Sequence, residues 1–305
     1  MNWIDNGSYI DIHPPVDFNF EECLVFLGRS EQEVLHQIRD GYFYKLIKID
    51  GELVLLKIWD TKDFIRVDLP ISSPTPGVRE KAASYVWEYF DMNQELGNFY
   101  DMADIDEVLQ EIVHKYRGLR IICIPDLFEA LTWAIIGQQI NLTFAYTLKK
   151  RFVEHFGECL IFEGNTYWLF PDFETIAHIE IADLRKLQFT SRKAEYITGV
   201  AKAMTSGHLT KEALLQQDYQ QVKKSLMAIR GVGAWTADYV MMKCLHHTTA
   251  FPVADVGLHQ AIKQQLGLER KPTIEEIVKM STTWEGWQAY ATFYLWRSLY
   301  ELQAT

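Results

Sequence analysis

The 305-residue chain has no C-x-x-C pair; its four cysteines, Cys23, Cys123, Cys159 and Cys244, stand far apart. That spacing speaks against a zinc ribbon or an iron–sulfur cluster. So few thiols in so long a chain also speak against a disulfide framework. They read as reduced and mostly buried, and the histidines, His246-His247 included, lack metal-ligand spacing. No apolar run approaches the ~20 residues that cross a bilayer, so no membrane partner is expected. The start, "MNWIDNGSYIDIHPP", lacks the basic-then-apolar order of a secretory signal, which makes the cytoplasm the expected location. Fixed-period repeats and low-complexity tracts are missing too. Nor is there an excess of positive charge: 30 Lys and Arg face 41 Asp and Glu, a net charge of −11. That balance argues mildly against a nucleic-acid partner. The deficit is local, however. About 22 acidic and 12 basic residues fall within 1–125, leaving about 19 and 18 in 126–305. A near-neutral remainder can still offer a local face to a duplex.

What is present is material for a core: 48% of the residues are hydrophobic and only 23% charged. Between residues 41 and 69, "YFYKLIKI", "ELVLLKIW" and "FIRVDL" read as strands, with Asp50-Gly51 as a hairpin turn. The lysines on these strands read as a solvated face. "EECLVFLGRSEQEVLHQI" has helical spacing over about 21–38. "SSPTPGV" at 72–78 breaks the chain, and "REKAASYVWEYFDM" reads as a helix. From about 104 the period is helical almost throughout. Long candidates are 126–156, "DLFEALTWAIIGQQINLTFAYTLKKRFVEHF", and 284–302, "WEGWQAYATFYLWRSLYEL". The expected fold is mainly α with an N-terminal α+β domain over 1–105. A helical region over 106–305 would form two lobes around a cleft.

One run stands apart: "IRGVGAWTADYVMMKCLHHTTAFPVADVGL", 229–258. A helix over 219–228 meets "GVG", which reverses the chain, and a second helix starts near Trp235. Glycines there allow positive φ and a close approach to bare backbone. The exposed N–H groups, backed by the next helix's positive end, favour an anion such as phosphate. An ordinary αα-hairpin with glycine as helix stop produces the same pattern. Downstream, Asp255 precedes "VGLHQAI", the place of an N-cap. The same place suits a carboxylate kept ionised by the helix dipole.

Taken together, "IRGVGAWTADYV…FPVADVGL" resembles the helix-hairpin-helix DNA glycosylases (HhH-GPD), most of all the bacterial 3-methyladenine DNA glycosylase II branch. The likeness extends to "PPVDF", "FDM" at 90–92, "DLFEALTWAIIGQQI", "SRKAEYITGVA" and "WEGWQAYATFYLW". The resemblance implies base excision repair: flipping an alkylated purine of the 3-methyladenine or 7-methylguanine type out of duplex DNA and cleaving its N-glycosidic bond. Asp255 would stabilise positive charge developing on the sugar and orient or deprotonate the attacking water. Where family members that also cut the strand carry a lysine nucleophile, this chain has Trp235. The nearest lysine along the motif, Lys243, lies two helical turns on. Water as nucleophile and no lyase step are therefore expected. Trp235 and Tyr239 share a helix face and, with Trp296, would line an electron-rich cleft for a cationic base; helix aromatics are as readily core. Within 219–245, Arg230, Gly231, Val232, Gly233 and Ala234 would grip DNA backbone without reading sequence. A monovalent cation on the hairpin carbonyls is implied; no organic cofactor is. Gln139, or its neighbour Gln138, would fill the gap left by the flipped base, although that branch more often has an apolar residue there. Arg192 and Lys193, at a helix start, read as solvated or phosphate-facing. A monomer is expected. Two alternatives stay open: a glycosylase for deaminated or oxidised purines, and a DNA-binding module without catalysis. An Asp255→Asn change separates the second from the first.

Overall fold

Residues 1–71 and 74–300 are described by a computed structural model. Parts of the expected break at 72–78 and of the helix expected to reach 302 lie outside the described residues. Six strands form one antiparallel sheet: β1 (Trp3–Asp5), β2 (Tyr9–Ile12), β3 (His36–Arg39), β4 (Tyr42–Ile49), β5 (Glu52–Asp60) and β6 (Ile65–Asp68), in spatial order β1-β2-β6-β5-β4-β3. Asp50 and Gly51 close the β4–β5 hairpin with φ of 52° and 85°, the positive pair that a twisted two-residue hairpin requires. Helices α1 (Phe20–Leu27) and α2 (Pro76–Tyr89) accompany the sheet. Asn19 caps α1 by accepting from the Glu22 N–H, and Pro76 opens α2 at a position where its missing N–H costs nothing.

The helix expected over 21–38 stops at Leu27, and its second half becomes β3. Gly28 ends the helix, and the Glu33 carboxylate then takes the Val34 and Leu35 N–H groups. The following four residues pair with β4, so sheet pairing overrides helical periodicity. The solvated-face reading of the strand lysines also fails at Lys45. It is 6% exposed, directs its ammonium at the Leu35 carbonyl and lies 5.4 Å from the Tyr89 ring.

The rest is helical with one exception. In order come α3 (Gly97–Ala103), α4 (Gln110–Lys115), α5 (Leu127–Gly137), α6 (Leu142–Phe156), α7 (Phe173–Ala177), α8 (Ile181–Lys186), α9 (Ser191–Thr205), α10 (Lys211–Leu215), α11 (Tyr219–Met227), α12 (Ala234–Lys243), α13 (Val256–Gln265), α14 (Ile274–Met280) and α15 (Gln288–Ser298). The exception is a hairpin, β7 (Cys159–Phe162) and β8 (Asn165–Trp168), turning at Glu163-Gly164 with φ of 49° and 76°. Its eight strand residues are too few for a clear period, and it is stabilised from outside: Gln37 of β3 donates to the Thr166 carbonyl, and Tyr167 packs on Tyr44. The expected 126–156 helix is two helices. The chain leaves α5 at Gly137, bends through Gln139 at φ 55°, and restarts where Asn141 caps α6.

The helices fall into two packed groups. In one, α5 lies against α6, α9 and α12, with α7, α8 and α11 around them; in the other, α15 packs on α4, α13 and the short 3-10 turn at Ser281–Trp284. The main hydrophobic cluster runs from Ile10 in β2 to Leu295 in α15, so sheet and helices share one core. Among the described residues, no helix is long and apolar enough to cross a membrane.

Candidate active site

Where the two helix groups meet, α12 brings Trp235 and Tyr239 against Asp255 at the start of α13 and Trp296 on α15. The tertiary structure thus joins all four expected residues. Tyr239 lies between the indoles, its ring centre 5.6 Å from Trp235 and 6.1 Å from Trp296, with interplanar angles of 32° and 36°. Trp235 Nε1–H donates to Asp255 Oδ2 at 3.0 Å, and Trp296 Nε1–H donates to Oδ1 at 2.8 Å. Oδ1 also accepts the Leu258 N–H at 2.8 Å. Asp255 is therefore an N-cap as well, and the two readings of it are compatible. Three of its roughly four acceptor positions are used, leaving one on Oδ2. Each donor is neutral, so the negative charge is oriented without being cancelled.

Packing accounts for a residue that sequence reading passed over. A Cβ at Gly257 would lie 2.9 Å from Asp255 Oδ1 and 3.4 Å from the Trp296 ring. Only glycine lets α15 press its indole onto the carboxylate, and nothing local in the sequence signals that need. Tyr239 is buried, which pushes its phenol well above the ordinary range and keeps it neutral. One turn deeper, Lys243 is 4% exposed. Its ammonium sits 4.7 Å from the Phe293 ring and 5.5 Å from Phe26, and burial pushes its pKa down to about 7.

The hairpin between α11 and α12 uses its glycines differently. Gly231 has φ 94°, and a Cβ there would meet the Tyr196 ring at 2.3 Å. Gly233 is extended, caps α12, and has open space where a side chain would stand. Gly233 and Ala234 are exposed. Val232 turns inward: it is buried, and its N–H donates to the Ile229 carbonyl. Arg230 reaches Glu195 at 2.7 Å across the surface, a weak pairing for which a phosphate would compete. Behind the turn, Asp238 of α12 takes Lys223 of α11 at 2.8 and 2.9 Å, clamping the two helices.

The two glutamines separate clearly. Gln138 Nε2 donates to the Gly231 carbonyl at 2.9 Å and to Thr236 Oγ1 at 3.0 Å, so it ties α5 to the hairpin. Gln139 is exposed at the tip between α5 and α6. Gln138 uses one lone pair of the Gly231 oxygen, and a carbonyl has two. The neutral hairpin carbonyls therefore remain chemically suited to a weakly held monovalent cation. Lys193, read as solvated or phosphate-facing, is instead buried and donates to the Ile136 carbonyl at 2.6 Å. It satisfies the C-terminal end of α5, whose last carbonyls lack helical partners. Arg192 beside it is exposed.

Comparison with known proteins bears on this arrangement. The sequence model of the HhH-GPD superfamily of base excision DNA repair proteins matches residues 132–288. That of the 8-oxoguanine DNA glycosylase N-terminal domain matches 13–131. A Bacillus subtilis protein named DNA-3-methyladenine glycosylase is 44% identical over 304 residues, 98% of this chain and 100% of that one. This chain belongs to the HhH-GPD superfamily, in its 3-methyladenine DNA glycosylase branch. The Escherichia coli DNA-3-methyladenine glycosylase 2 is 28% identical over 93% of this chain and 94% of its own. In fold, the Archaeoglobus fulgidus 3-methyladenine DNA glycosylase superposes with a TM-score of 0.80 at 23% identity, over 94% of this chain and 96% of that one.

Proposed function

We propose that this glycosylase flips alkylated purines of the 3-methyladenine or 7-methylguanine type from duplex DNA. It then hydrolyses their N-glycosidic bond with water, leaving an abasic site. The observation that carries the reading is the Asp255 carboxylate, held by two indole N–H groups and a backbone N–H at the edge of an aromatic stack. Bond cleavage places positive charge on the deoxyribose, and a fixed, uncancelled carboxylate stabilises that charge where it forms. The free acceptor position on Oδ2 is available to orient a water. An alkylated purine is cationic in DNA and already a good leaving group, so the site needs aromatic faces more than a strong acid. Trp235 and Trp296 then have two tasks, presenting ring faces and orienting Asp255 through their N–H edges.

Gln139 is the wedge: it projects from a strained, positive-φ tip, while Gln138 is committed to the hairpin. The exposed N–H groups of Gly233 and Ala234, at the positive end of α12, hold backbone phosphate. Trp235 stands where a lyase lysine would, and the Lys243 amine is packed among phenylalanines, so no Schiff base forms. The deciding experiment is mass spectrometry of bases freed from methylated and from deaminated DNA. The wild type should release 3-methyladenine and 7-methylguanine, and Asp255→Asn should bind the same DNA and release neither. Equal release by both proteins would end the reading. Borohydride trapping of a covalent complex, through Lys243 or any other amine, would overturn the water mechanism.

A further inference from the structure

Beneath the aromatic stack, three segments distant in sequence converge: Asp91 just beyond α2, Cys123 in the extended stretch before α5, and His246 just beyond α12. One nitrogen of the His246 imidazole, the Cys123 sulfur and a carboxylate oxygen of Asp91 all lie within 4.8 Å of one another. His246 Nδ1 is 2.9 Å from Asp91 Oδ1 and 3.6 Å from Cys123 Sγ. Asp91 and Cys123 are 3% and 1% exposed. Asp91 and His246 both adopt the left-handed conformation, with φ of 48° and 57°.

An ion pair accounts for the Asp91–His246 contact. It does not account for a thiol approaching the same nitrogen. His246 Nε2 faces Glu88 Oε1 at 3.3 Å, and the Tyr290 hydroxyl donates to Asp91 Oδ2 at 2.7 Å. Metal-bound imidazoles characteristically give their second N–H to a carboxylate, and ligating carboxylates are themselves hydrogen-bonded. Ordinary zinc bond lengths in a tetrahedron put nitrogen and sulfur donors about 3.6 Å apart and nitrogen and oxygen donors about 3.3 Å apart. The two distances measured from His246 Nδ1 need no more than a few tenths of an ångström of adjustment.

We propose that Asp91 Oδ1, Cys123 Sγ and His246 Nδ1 form a zinc site that pins the end of α12 to α2 and α15. Thiolate, imidazole and carboxylate together favour zinc over the harder divalent cations. Three protein donors leave one tetrahedral position for water. Binding replaces the Cys123 thiol proton, and any proton on His246 Nδ1, both of which leave to solvent. The segments are already joined by backbone bonds, Cys123 N–H to the Tyr89 carbonyl and Ile124 N–H to the Lys243 carbonyl, so the ion locks a preformed junction. It lies at the opposite end of α12 from Trp235 and takes no part in base release.

The test uses the full chain purified without chelator. Elemental mass spectrometry should find about one zinc per chain, falling at least tenfold in Cys123→Ala. Cobalt(II) replacing zinc should show a near-ultraviolet thiolate-to-metal band in the wild type that Cys123→Ala lacks. Chelation should lower the wild-type Tm and leave that of the variant unchanged. Circular dichroism confirms that Cys123→Ala is folded. If it is not, the cobalt band and the zinc content of the wild type decide alone. Wild-type protein with no bound zinc and no cobalt band would overturn the site, whatever its glycosylase activity.

Discussion

Two carboxylates, Asp255 at the start of α13 and Glu33 at the junction of sheet and helices, show how one functional group is held in opposite ways. Glu33 is buried against the Lys149 ammonium at 2.6 Å and lines a cavity of about 50 Å³ that it shares with Lys149, His36, Lys45 and Arg29. Burial alone would raise its carboxyl. Lys149 and His36, with hydrogen bonds from Lys149 and the Leu35 N–H, outweigh that and hold it well below the usual range. Its charge is consumed. Asp255 has only neutral donors, so its charge is fixed in direction and left for a cation to meet. The structural carboxylate is paired with charge, and the one proposed to react is held by dipoles.

The largest expected effect breaks the structural member. Glu33→Gln leaves the Lys149 ammonium buried and unpaired, which costs about 3–5 kcal/mol, read as a lower urea midpoint. The pH dependence has a definite sign. Because the folded carboxyl titrates below its unfolded value of 4.5, Glu33 contributes stability in full above that value. The contribution is lost as pH falls toward the lower, folded pKa. The variant should therefore show a shallower acid limb, and an unchanged limb would show that the pair is not coupled to folding.

Asp255→Asn comes next. It keeps the shape of the side chain and removes the charge. Single-turnover base release should fall about a hundred- to a thousand-fold, while stability changes by no more than ~1 kcal/mol. A large loss of stability with little loss of rate would invert the comparison.

The hairpin glycines sharpen it on a smaller scale. Gly231→Ala sets a methyl against Tyr196 in a positive-φ position and should cost about 1–3 kcal/mol of stability. Gly233→Ala, with open space around it, should leave stability within ~0.5 kcal/mol yet weaken DNA binding in a fluorescence anisotropy titration. Smallest of all, Trp235→Phe keeps a ring and deletes the N–H to Asp255 Oδ2. A loss near 1 kcal/mol in the transition state corresponds to about a five-fold slower release. No change would assign Trp235 to base contact alone.

Much of the candidate site was legible because its signals are local. Gly231, Gly233, Trp235 and Asp255 lie within twenty-five residues, and each announces a turn, a helix start or a cap. The Asp50-Gly51 hairpin was readable for the same reason. The roles of Gln138 and Gln139 were not, because adjacent identical residues differ only in what each meets after folding. Lys45 and Lys193 were misread as solvated for a related reason: a lysine's burial depends on a carbonyl supplied by a distant segment. Likewise β3 and the β7–β8 hairpin exist through pairing and packing with chain far away in sequence.

The amino-acid order by itself determined that the chain beyond about residue 104 is mainly helical, that a glycine turn precedes a carboxylate at a helix N-terminus, and that no lysine stands at position 235. These follow from backbone preferences and side-chain chemistry acting within a few residues. Only the tertiary structure decided that both indoles donate to Asp255, that Gly257 makes room for one of them, and that Cys123 faces His246. Each of these depends on groups brought together across tens to hundreds of residues, where packing and desolvation, rather than local propensity, select the geometry.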